Sequence, residues 1–170
     1  MAGIQRVLDT LAHWLLVLAG CALIGMMLVT MFDVVVRNLG TVVPSLQNLN
    51  YYGTIEIVRY LFLLAMAGAM PWGVEKSQVI VELFTQRLAP AARARIDALF
   101  LLGFAAFGAM LAYSLFVSGL HAAASGETTP DLLIPMGPIK YGAAFCMALM
   151  ALRALVVALA GGYKGDAHVG

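Results

Sequence analysis

The sequence predicts an all-α integral membrane protein of four transmembrane helices, with both termini inside and a short amphipathic interfacial helix between helices 2 and 3. Three observations carry that prediction. First, 62% of the 170 residues are hydrophobic and 11% are charged, whereas soluble domains average about 45–50% apolar and about 25% charged. A chain this short cannot enclose that much apolar surface in one core. Second, four continuous apolar runs each reach the length of about 20 residues that a helix needs to cross about 30 Å of hydrocarbon. Third, Lys and Arg gather in alternate connecting segments. The same numbers exclude other classes. Ten basic residues against nine acidic ones give no basic field for nucleic acid, and Cys21 and Cys146 both lie inside apolar runs, which argues against a disulfide scaffold.

The spans are expected at about 12–36, 54–73, 98–119 and 141–159, in one membrane domain covering residues 1–170. The runs are continuously apolar rather than alternating, so helices fit and barrel strands do not. The first run is too long for a secretory signal and lacks a small-residue cleavage site, so it is expected to stay in the protein. Lys76, Arg87, Arg93 and Arg95 stand between the second and third spans, with Arg6 and Lys164 in the tails. The other two connections hold only Arg37 and Lys140. Positive charge stays in the cytoplasm, which places both tails and the middle segment inside.

In the middle segment, Val79, Ile80, Leu83, Phe84 and Leu88 recur at helical spacing opposite Gln78, Glu82, Gln86 and Arg87. Ser77 is placed as an N-cap and Pro90 as a stop, predicting an amphipathic helix over about 77–89 that lies on lipid or on a partner. The connection 126–138 contains Pro130, Pro135 and Pro138, so it should be extended and ordered. Its Leu132-Leu133-Ile134 stretch is apolar and exposed by topology, and it should pack on the helix ends or on a partner.

Ionised groups inside hydrocarbon need an explanation. Asp33 and Arg37 stand four residues apart at the outer end of the first span, and Glu56 and Arg59 stand three apart at the outer end of the second. The topology brings both pairs to one depth, which suggests a four-residue ion-pair network joining the two helices. A substrate or coupling-ion pathway is the competing reading. Two acids cancel two bases, leaving no spare carboxylate, which favours a structural network. Arg153, about two turns from the inner end of the fourth span, should reach the interface by snorkelling. With Trp14 and Trp72 it forms the expected set of interfacial anchors.

Catalysis is not indicated: there is no nucleophile–base pair, phosphate loop or metal-ligand spacing. His13 and His121 fall at opposite membrane faces, so no haem can bridge them, and no cofactor or metal is expected. Small residues crowd Gly103–Ala112 and Ala65–Ala69, faces suited to close helix approach. Four short spans with so few polar groups offer no substrate cavity, which points to an accessory subunit.

At this point a resemblance becomes visible. Asp33-Val34-Val35-Val36-Arg37 closes the first span and Glu56-Ile57-Val58-Arg59 opens the second. A charged segment at Glu75-Lys76 follows, and Gly126-Glu127-Thr128-Thr129-Pro130-Asp131-Leu132-Leu133-Ile134-Pro135 precedes the fourth. In that order the motifs resemble the small membrane subunit of tripartite ATP-independent periplasmic (TRAP) transporters, over nearly the whole chain. The family often has a basic residue and a histidine ahead of the amphipathic helix, then an aspartate; here Ser77-Gln78 and Glu82 stand instead, so no role tied to that histidine carries over.

The resemblance implies a multi-pass protein of the bacterial inner membrane, serving a secondary transporter for organic acids that is usually driven by sodium. Its partners would be a large membrane transport subunit in a stable complex, a periplasmic substrate-binding protein met transiently, and lipid, but not nucleic acid. The small subunit would act as a fixed collar, and Glu127, Asp131, Leu132 and Leu133 are the residues expected to meet periplasmic partners. Two alternatives stay open: a stand-alone four-helix multidrug–proton exporter, and a membrane anchor for a respiratory enzyme.

Overall fold

In the computed structural model, residues 2–42, 53–85 and 90–159 are described. They form four helices: α1 (Ala2–Val42), α2 (Thr54–Thr85), α3 (Pro90–Ser125) and α4 (Met136–Leu159). Each contains a stretch long and apolar enough to cross a membrane: Gln5–Leu39, Thr54–Val74, Arg95–Ser125 and Met136–Leu159. The helices overrun the expected spans because only apolar residues are counted in a span, whereas helical hydrogen bonding continues into polar flanks. α1 is the extreme case, with 41 residues and a length of about 60 Å at 1.5 Å per residue.

Local sequence explains several ends. Pro90 opens α3, where its missing N–H has no helical partner to lose. Gly126 follows the last residue of α3 in the left-handed region, φ 66°, and the Glu127 amide donates back to the Ala122 carbonyl at 3.0 Å. That is the pairing of a Schellman cap. α2 does not stop where its apolar run ends. It continues through Ser77 to Thr85 without a break, so the segment expected as a separate interfacial helix is a C-terminal extension of α2 and Ser77 is no N-cap. A single glycine, Gly73, lowers helix propensity by only about 1 kcal/mol and does not end the helix. The expected apolar stripe Val79, Ile80, Leu83 and Phe84 lies on this extension, where only the backbone is described, and Leu88 lies outside the described residues.

The helices pack as a row. α1 lies along α2, α2 along α4, and α4 along α3, while α1 and α3 do not meet among the described residues. α4 is the most enclosed, with 50% of its spanning window buried against 11% for α1. Val74, Leu101, Ala105, Met150 and Ala154 form one core cluster between α2, α3 and α4. Ala67, Cys146 and Met147 form another, with Leu15 and Leu111 against it. Small residues set the closest approaches. A Cβ on Gly68 would stand 3.0 Å from the Leu15 carbonyl oxygen of α1, and one on Gly108 would stand 3.1 Å from Ala151 Cβ of α4. Close backbone approach of this kind is how helices associate where lipid removes the hydrophobic drive.

Candidate functional site

Two polar clusters tie the row together, one at each end of the helices. At the first, Glu56 sits in the opening turn of α2 and is 5% exposed. Its Oε2 accepts the amides of Asp131 and Leu132, both at 3.0 Å. Successive backbone N–H groups aimed at one anionic oxygen form a small anion nest. The connection between α3 and α4 is shaped to supply it. Thr128 and Pro135 form an isolated antiparallel bridge, the Thr129 amide donates to Ile134 O at 2.9 Å, and the Ile134 amide donates to Thr129 Oγ1 at 3.0 Å. Thr129 is 1% exposed. Its hydroxyl stands beside the carboxylate, but Glu56 Oε1 is buried with no hydrogen bond of acceptable geometry. Leu133 takes φ 54°, a conformation that L side chains enter at a cost, within the turn that the two Thr129–Ile134 bonds close. Nearby, Lys140 Nζ reaches Glu127 at 3.2 Å, and Tyr60 donates to the Met136 sulfur at 3.2 Å.

The expected four-residue network does not form. Arg37 pairs with Asp33 at 2.9 Å within α1, and no hydrogen bond or ion pair joins that pair to Glu56 or Arg59 among the described residues. The reason is competition: two loop amides already hold the Glu56 carboxylate, and backbone donors fixed by the bridge need no side-chain ordering. Arg59 is exposed on α2, one turn from Glu56.

At the other end, Arg153 of α4 is 1% exposed. It does not snorkel to the interface as expected. Its Nη2 donates to Asp9 Oδ1 of α1 at 3.0 Å, with Nε at 3.3 Å, and Nη1 donates to the Pro71 carbonyl of α2 at 2.7 Å. Its guanidinium carbon lies 5.3 Å from the Trp72 ring centroid, and Trp72 in turn meets His13 edge-on at 5.6 Å. One cation thus binds three helices. Trp72 is half-buried in this knot, whereas Trp14 is 67% exposed. Asp9, Pro71 and Thr129 are the residues that reading the spans missed.

Of the residues expected to face partners, Leu133 is 70% exposed. Glu127 and Asp131 are exposed, and Leu132 is half-buried. Leu132 and Ile134 line one end of a cavity of about 520 Å³ between α1, α2 and α4, walled by Leu18, Leu64 and Phe145 among others. Its walls are almost wholly apolar. No cluster of three or more His, Cys, Asp or Glu able to hold a metal ion occurs among the described residues.

A model of the family described as tripartite ATP-independent periplasmic transporters, DctQ component, matches residues 26–163. The chain belongs to the DctQ family. It is therefore the small component of a TRAP transporter, a transport protein rather than a member of an enzyme family, with four helices able to span a membrane. The match runs from the middle of α1 past the end of α4, and so includes Glu56, the loop that holds it, and Arg153. No curated protein and no solved structure matches the chain.

Proposed function

We propose that this DctQ chain is a scaffold subunit, one that stabilises a large membrane transport subunit while that subunit moves the cargo. The carrying observation is the open row α1–α2–α4–α3, in which α1 and α3 do not meet among the described residues. Such a row encloses no passage of its own, and its buried charges are spent on holding helices and a loop in place. Membership of the family supports the rest of the reading. The complex is a secondary transporter of the bacterial inner membrane, coupled to an ion gradient, sodium in the usual case, and it takes organic acids from a periplasmic binding protein. The distribution of Lys and Arg supports an orientation with both termini inside and the loop 126–135 on the periplasmic side.

Glu56 offers a reason to set aside the stand-alone exporter. A proton-exchanging carboxylate must be reached by cargo, and this one is covered by the α3–α4 loop.

The test is reconstitution in sealed vesicles. The large subunit with its binding protein should take up substrate when this chain is present and lose most of its uptake when it is omitted, and this chain alone should move nothing. Full uptake in its absence, or transport by it alone, overturns the scaffold reading.

A further inference from the structure

Among the described residues, α1 covers one side of α2, and α4, joined by α3 at Val74, covers another. Leu61 and Gly68 face α1, while Tyr60, Ala67 and Pro71 face α4. The uncovered face follows the spacing i, i+4, i+7, i+11, i+15: Ile55, Arg59, Phe62, Met66 and Met70. The four apolar members are 69%, 50%, 49% and 38% exposed. Exposed faces of α1 and α3, such as Ile24, Met27 and Met31 or Leu99, Phe107 and Met110, carry apolar side chains in series, as lipid contact requires. On α2 a guanidinium stands inside such a series, with Ile55 one turn before Arg59 and Phe62 one turn after it.

Arg59 is exposed and makes no hydrogen bond or ion pair among the described residues. Glu56 attracts it through space, but Oε2 is occupied by two amides and Oε1 is buried without a hydrogen bond. A cation in the spanning part of a helix is costly unless something meets it, and the planar fork of arginine is matched best by a carboxylate. The two methionines farther along this face, Met66 and Met70, are unbranched and adaptable, suited to moulding onto another side-chain surface.

We infer that this face of α2 is the docking surface for a transmembrane helix of the large subunit, with Arg59 received by an aspartate or glutamate of that helix. This rests on the scaffold reading and adds which side of the row meets the partner. A helix fits better than a lipid headgroup. The apolar residues continue in register for about three turns below Arg59, and a row of that length matches a second helix laid alongside.

The test uses the intact transporter, co-expressed with its large subunit in cells. Photo-cross-linking residues are placed at Phe62 or Met66, and at Phe145 on the cavity side as the comparison. Adducts with the large subunit from positions 62 and 66, and few from 145, are expected. Arg59→Glu should lower recovery of the complex at least about tenfold, and reversing one acid in the cross-linked segment of the partner should restore it. Arg59→Gln, which adds no repulsion, should lose less. Adducts at 62 and 66 with phospholipid alone, or subunit adducts from 145 alone, overturn the proposal. So does unchanged recovery with Arg59→Glu accompanied by loss of co-purified anionic lipid, which would make the acceptor a phosphate. If no position yields a subunit adduct and uptake proceeds without this chain, both the docking face and the scaffold reading fail. If uptake still needs the chain, only the docking face fails.

Discussion

Arg153 and Pro71 meet across the α4–α2 boundary through a 2.7 Å bond from Nη1 to the proline carbonyl. The same guanidinium holds Asp9 from α1, so a single side chain fixes the relative positions of three helices at one end of the row.

Arg153→Leu should destabilise the chain by about 3 kcal/mol, because it leaves the Pro71 carbonyl and Asp9 without their donor. Arg153→Lys should recover less than half of that, since an ammonium cannot reproduce a fork that spans two acceptors. Asp9→Asn should cost under about 1 kcal/mol, because the Asp9 side chain is 50% exposed and screened. Denaturant titration in micelles, followed by Trp fluorescence, reads all three. Equal losses for Asp9→Asn and Arg153→Leu would show that the Pro71 bond contributes nothing.

Glu56→Ala should release the α3–α4 loop while leaving the helices in place. Amide exchange at Asp131 and Leu132 should accelerate at least about tenfold, with little change in the middle of α4. Glu56→Gln keeps an acceptor oxygen at the same reach and should retain most of the protection. Unaltered exchange in Glu56→Ala would mean that the loop holds its own shape.

Helix contacts predict opposite outcomes for two glycines five residues apart. A Cβ on Gly108 meets Ala151 N at 3.2 Å as well as the Ala151 and Met150 side chains, whereas one on Gly103 meets nothing within 4 Å. Gly108→Ala should cost about 1–3 kcal/mol by forcing α3 from α4. Gly103→Ala should be neutral or gain up to about 1 kcal/mol from helix propensity. Thermal unfolding in detergent distinguishes them, and a common response from both would refute the packing contrast.

Leu133→Gly should fall within about 0.5 kcal/mol of the parent, with relief of the φ 54° conformation offset by added freedom of the unfolded chain. Leu133→Val should cost about 1 kcal/mol more, because a β-branched residue tolerates that region worst. If the two variants melt together, the loop has rearranged to an ordinary backbone.

The spans and the connection rich in proline were legible because hydropathy and turn chemistry act over neighbouring residues. Asp33 and Arg37 were legible for the same reason, being partners four apart on one helix. Glu56 was visible as a charge needing an explanation, but its donors are 75 and 76 residues away and belong to the backbone, where no side chain marks them. Arg153 was misread because its partner Asp9 lies 144 residues earlier, before the first apolar run. An acid standing just outside one span and a base just inside another was the available signal. The extension of α2 past Gly73 was hidden by an apolar count that ends where hydrophobicity ends, not where the helix does.

The length of α1 has a mechanical consequence. A rod of about 60 Å is roughly twice as long as the oily layer is thick, so it must either lean steeply or project from it. α2 lies along α1 and locks to it at Gly68, so any lean is shared. To the extent that they lean, the footprint in the plane of the bilayer becomes wider than that of four upright cylinders.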